Sequence, residues 1–159
     1  EDSLFHCREA LRFGAWMSNR EPNNAEYAYD LTILGAQLGE SLLALYRPEG
    51  LERLQEAVDT VHRLGARDPH NTGFILARLA VLRYFVQGLT AWAGDPGLSL
   101  NERRDRLAQA QARLEEADKL IALLRAESAR AGIRFEWEPV RIDLTTAKGK
   151  LEAETILPK

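Results

Sequence analysis

Five residues, Arg20-Glu21-Pro22-Asn23-Asn24, return 47 positions later as Arg67-Asp68-Pro69-His70-Asn71. Each copy ends one helix and opens the next. Proline pushes the residue before it out of helical geometry, and Asn or Asp side chains accept the free N–H groups of a new first turn. A chain punctuated twice in this way is constrained to build the same unit twice.

Between these marks apolar residues recur with helical period, and no alternating strand pattern is convincing. The spacing predicts six helices. The first runs from about Ser3 to Asn19. The second runs from Asn24 to about Tyr46, capped by Asn23 or Asn24, and the third from Pro48 or Glu49 to Ala66. The fourth, capped by Asp68, covers about His70 to Ala93, before the turn Gly94-Asp95-Pro96-Gly97. Ser99 and Glu102 form a capping box for a fifth and longest helix to about Arg130, ended by Ala131-Gly132. A sixth starts near Pro139 and fades toward Ile156, preceded by a short extended stretch, Ile133 to Trp137, with no partner strand.

Sliding the chain by 47 places Glu9-Ala10 on Glu56-Ala57, Leu42 on Leu89, Ala44 on Ala91 and Gly50-Leu51 on Gly97-Leu98. After an insertion of 13 residues, Arg53-Leu54-Gln55-Glu56-Ala57 returns as Arg113-Leu114-Glu115-Glu116-Ala117, a shift of 60. Helix 5 therefore reads as helix 3 extended.

Leu31-x2-Leu34-Gly35-x2-Leu38, followed by Ala57-x3-Val61 and Pro69, resembles the signature of the tetratricopeptide repeat, with leucines for its aromatic residues. The second copy reads Arg78-x2-Val81-Leu82-x2-Phe85, and Ala117 with Ile121 repeats the Ala-x3-apolar part. The period here is 47 residues against about 34 in that family, because the helices are longer. The resemblance implies an all-α fold of about six antiparallel helices stacked as helical hairpins, a short α-solenoid. Gly35, Ala57 and Ala117 are expected where helices approach closely. "GFILARLAVLRYFVQGLTAW", apolar nearly all round, predicts that helix 4 is the most buried.

In proteins of this family the first helices of successive hairpins line a groove for a peptide or partner helix. Carried over by position, the candidates here are Asp30, Gln37 and Glu40 on helix 2 with Arg83, Tyr84 and Gln87 on helix 4. The same residues also read as the solvated face of amphipathic helices.

A net charge of -3 from 21 basic and 24 acidic residues excludes the basic excess of a nucleic-acid binder. The longest apolar stretch, Thr72 to Ala93, is interrupted by Arg78, Arg83 and Gln87, so no membrane insertion by this chain is expected. One cysteine, Cys7, excludes an internal disulfide framework and thiolate-rich zinc sites. His6, His62 and His70 share no ligand spacing, and no phosphate-binding loop or nucleophile motif is present, so neither metal, cofactor nor enzymatic activity is expected. Glu115-Glu116 reads as solvated surface, Arg103, Arg104 and Arg106 as mixed-charge surface with intrahelical pairs, and Trp16, Trp92 and Trp137 as packing anchors.

Leu107, Leu114 and Ile121, with Ala110, Ala117 and Leu124 between them, form a heptad-like seam on helix 5. It either packs against the chain's own helices or pairs with a second copy. The leading functional expectation is a non-catalytic scaffold for a protein or peptide partner. The alternative is a self-association module, homo-oligomeric through helix 5 or the chain ends. Helix 1 reads as the second member of a hairpin. With no methionine before Glu1 and arginine exceeding lysine 17 to 4, the expectation is a piece of a longer bacterial protein, with a lean toward the cell envelope.

Overall fold

The computed structural model describes residues 2–21 and 24–132. Among the described residues it is all-α, with five helices and no strand: α1 Asp2–Arg20, α2 Ala25–Ala44, α3 Glu49–Arg67, α4 Thr72–Ala93 and α5 Leu100–Ala131. The expected strand at 133–137, the sixth helix and Trp137 lie outside the described residues. Connections of four to six residues turn each helix back on its predecessor.

The two echoed pentapeptides make the same hydrogen bonds. Asn24 N donates to Glu21 O (3.0 Å) and Asn71 N to Asp68 O (3.2 Å). Asn24 Nδ2 donates to Glu21 Oε2 (3.1 Å), and Asn71 Nδ2 to Asp68 Oδ2 (3.3 Å). Asn24 Oδ1 caps α2 by accepting from Glu26 N, and Asn71 Oδ1 caps α4 by accepting from Gly73 N and Phe74 N. The cap of α4 is thus Asn71 and not Asp68, which sits at the C-terminal end of α3. The acid fixes the cap's amide group, and the amide oxygen meets the helix.

The α2–α3 connection also differs from expectation. α2 stops at Ala44, and Tyr46 adopts φ 59°, the left-handed conformation usually given to glycine. Tyr46 N donates to Leu43 O and Arg47 N to Leu42 O, a reversal that sends Arg47 and Pro48 directly into α3. The capping box of α5 forms as expected, Ser99 and Glu102 each accepting from the other's backbone, and Gly132 closes that helix at φ 65°.

α2 and α4 are the inner helices. α2 packs against α1, α3 and α4, whereas α4 packs against α2, α3 and α5; among the described residues the backbone of α1 runs close only to α2, and that of α5 only to α4. α4 is the most buried helix, with Leu79, Val81, Leu82, Val86 and Leu89 essentially inaccessible. Its length and mean hydropathy alone satisfy the requirement for crossing a membrane, but half of the apolar window is buried inside this fold.

Ala57 and Ala117 are buried as expected, but Gly35 is not at a close approach: a Cβ built there meets nothing within 4 Å. The tight crossing lies one turn on, where Gly39 of α2 faces Gly50 of α3. A Cβ on Gly39 would stand 2.7 Å from Leu54 Cγ, and one on Gly50 would collide with Gly39 O.

The main core joins α2 to α5, and the helix 5 seam belongs to it, with Leu107, Ala110, Leu114, Ala117, Ile121 and Leu124 all buried. α1 is held by a separate small cluster in which Leu4, Leu38 and Leu42 pack with Cys7 and Leu11. Its outer face leaves Phe5, Phe13 and Trp16 exposed, Trp16 carrying the Arg20 guanidinium on its ring at 4.5 Å, so Trp16 is not a packing anchor of the core.

Candidate binding groove

Three outer helices over two inner ones leave two parallel furrows. One lies between α1 and α3 above α2, the other between α3 and α5 above α4. The 47-residue shift carries α1 onto α3 and α2 onto α4, and the 60-residue shift carries α3 onto residues 109–127 of α5, so the furrows occupy matching places.

Side chains cross the second furrow. His62 Nε2 of α3 lies 2.9 Å from Glu116 Oε1 of α5, and Arg78 Nη2 from the α4 floor donates to the same oxygen at 3.4 Å. Arg113 donates to Glu116 Oε2 (3.3 Å) and also to Gln55 Oε1 of α3 (3.1 Å). Burial works to raise the Glu116 carboxyl, but the hydrogen bonds from His62, Arg78 and Arg113 outweigh it and hold the carboxyl below its ordinary value. An ionised carboxylate only accepts, which places the proton on His62 Nε2. Glu116 is therefore an organising centre and not a solvated partner of Glu115. The floor is also covered from above: Arg113 lies over Phe85 (4.8 Å) and Arg106 over Trp92 (4.1 Å), the two stacks seven residues apart on each helix. Arg106 thus stacks on an aromatic ring while its charge still acts on Glu102, one turn back on the same helix. A further link, His70 Nδ1 to the buried Glu127 Oε1 (2.7 Å), ties the α3–α4 connection to α5.

Among the described residues no hydrogen bond crosses the first furrow from α1 to α3; only the charge of Arg8 acts across it, on Glu49. Ala15 stands at the position of His62, and Leu31 at that of Arg78. Glu56, matching Glu116, pairs only along its own helix with Arg53 (3.0 Å). What remains is an open groove of about 870 Å³. Leu11, Leu31, Leu38, Leu42 and Ala57 supply apolar lining, Ala15, Ser18 and Ala28 keep it clear, and arginines stand along both edges. Sequence reasoning that began from the family's groove missed it, although the alignment that puts Ala15 on His62 contains the signal.

The six residues predicted from the sequence lie elsewhere, along the α2–α4 contact. Gln37 Nε2 donates to Tyr84 Oη at 2.7 Å, two residues 47 apart brought side by side, and Arg83 stacks on the Tyr84 ring at 4.2 Å. Glu40 and Arg83 are half-buried and both engaged; Gln87 is half-buried, and Asp30 is exposed. Burial, then the neighbouring Asp30 carboxylate and Tyr84, raise the Tyr29 hydroxyl above its ordinary value. The structure thus brings Gln37, Arg83 and Tyr84 together and leaves Asp30 apart. Among the described residues no group of three or more His, Cys, Asp or Glu is placed to hold a metal ion.

Comparison of the chain with protein-family models, with the curated proteins and with the solved structures gives no match.

Proposed function

We propose that this chain is a non-catalytic protein-interaction module built of stacked helical hairpins similar to tetratricopeptide repeats, and that it holds a partner segment in the α1–α3 groove. The observation that carries the reading is the contrast between the furrows: the α3–α5 furrow is crossed by side chains, while its α1–α3 counterpart is apolar and clear. Support for the hairpin reading comes from the duplicated turns and from the Gln37–Tyr84 contact between equivalent positions. A groove of this size lined by aliphatic side chains with polar edges suits a ligand's apolar anchors. The α2–α4 stripe is the second candidate surface of the same module.

The test is selection of random displayed peptides on the immobilised chain. Binding that Ala15→Phe abolishes and an Arg83→Glu, Glu40→Lys double variant leaves intact places the site in the α1–α3 groove. The opposite pattern places it on the stripe, and failure to select any peptide overturns the reading. Self-association is favoured by one observation, the exposed Phe5, Phe13 and Trp16 on the outer face of α1. Light scattering that gives a monomer, or a dimer indifferent to Phe13→Ser and Trp16→Ser, removes that route.

A further inference from the structure

We infer that the α1–α3 groove selects an acidic amphipathic helix of about three turns, which lays leucine-sized side chains on the α2 floor and carboxylates against the two edges. The inference rests on the interaction reading above and adds the chemistry of the partner.

Charge is the first argument. The chain as a whole carries -3, yet five arginines and two glutamates line this groove, Arg8, Arg12, Arg47, Arg53 and Arg63 against Glu49 and Glu56. Local pairs take up part of that excess: Arg47 meets Glu49 (2.9 Å), Arg53 meets Glu56 (3.0 Å), and Arg12 meets Glu9 (3.1 Å). Arg63 donates instead to Thr60, and Arg8 shares the Glu49 carboxylate with Arg47, acting on it without a direct ion pair, so one acid serves two of the arginines. An anionic partner completes this set, and a cationic one is repelled from both edges.

The distribution of the arginines decides what kind of anion. Arg8 and Arg12 stand on α1, Arg53 and Arg63 on α3, and Arg47 at one end, so positive charge runs the length of the groove. The lining extends over Arg8 to Ser18 and Glu49 to Arg63, about 15 and 20 Å at the helical rise of about 1.5 Å per residue. A fatty acid has one carboxylate and requires its cations at one end. A nucleic acid places aromatic bases, and this lining contains no aromatic side chain for stacking. Carboxylates spread along a segment with aliphatic anchors match both features. Leu31 and Leu38 lie seven residues apart on the floor, about 10 Å along α2, the spacing of successive anchors on one face of a docked helix.

The test uses the full chain, fluorescence anisotropy, and a labelled peptide of about 15 residues with leucines at helical spacing and glutamates beside them. The expected result is saturable binding that weakens with added salt. Arg8→Glu with Arg53→Glu raises the dissociation constant at least tenfold, Ala15→Phe abolishes binding, and Arg104→Glu, outside the groove, leaves it unchanged. Arg8, Ala15 and Arg53 are exposed, so these variants keep the fold, which their helical circular dichroism verifies. Equal or tighter binding of a peptide with lysine in place of glutamate overturns the inference, as does an acidic peptide indifferent to the arginine substitutions or displaced by decanoate or oligothymidylate. If the acidic peptide fails while displayed peptides still depend on Ala15, the acidic partner is wrong and the interaction module stands. If display also returns nothing, both fall.

Discussion

The α1–α3 and α3–α5 furrows are built on one plan and have opposite surfaces. In the second, Glu116 gathers His62, Arg78 and Arg113 from three helices into a polar bridge that locks α5 to its neighbours. In the first, alanine and leucine replace the histidine and the arginine of that bridge, and Glu56 turns back to its own helix. Arg8 likewise stands where Gln55 accepts from Arg113, so three replacements within a repeated pattern separate a structural seam from an accessible groove. The same contrast extends to the core: α5 belongs to the main cluster, whereas α1 rests on a small one of its own.

The largest expected effect tests the cores of the two sides. Leu124→Ala, at a side chain with no exposure, lowers unfolding free energy by about 2–5 kcal/mol in urea titration, while Leu11→Ala, half-buried in the groove, costs about 1 kcal/mol. Equal losses contradict the distinction. Next come the two matching carboxylates. Glu116→Ala strands partly buried donors and costs about 1–3 kcal/mol, whereas Glu56→Ala stays within about 0.5 kcal/mol.

Acid sharpens the same point. The Glu116 carboxyl is lowered in the folded chain from its ordinary 4.5. Its contribution to stability is therefore fully present above that value and lost as pH falls through the lowered one. Glu116→Gln has a smaller fall in stability between about pH 6 and about pH 3 than the parent chain. An unchanged fall removes Glu116 from the acid response. The smallest contrast is a predicted equality: Asn24→Ala and Asn71→Ala each cost about 1 kcal/mol, because both cap a helix in the same turn. A twofold difference between them means that the two turns are not energetically equivalent.

Much of the fold was legible because it follows from local chemistry. The echoed pentapeptides mark two helix boundaries, the Ser99–Glu102 box marks a third, and the apolar sequence of α4 marks the centre. The errors arose where a local rule had two valid answers. Asp68 and Asn71 are both good caps, and the equivalence of Asn24 with Asn71 decides between them. Gly35 and Gly39 are both small residues on α2, but only Gly39 faces Gly50, a pairing set by the angle at which α3 crosses. The groove was less legible because a cleft depends on what does not reach across it. Ala15 and Leu31 are ordinary helical residues until His62 and Arg78 are placed at their equivalents. His62 itself finds its partner 54 residues away, beyond any local spacing rule.

Amide chemical-shift mapping of the full chain, titrated with the acidic leucine-containing peptide, reads out directly whether the open furrow receives the partner. The predicted result is perturbation along Arg8 to Ser18 of α1 and Glu49 to Arg63 of α3, with the α4 amides around Arg83, Tyr84 and Gln87 unmoved. Perturbation centred on those α4 residues and on Asp30, Gln37 and Glu40, with α1 silent, would contradict it.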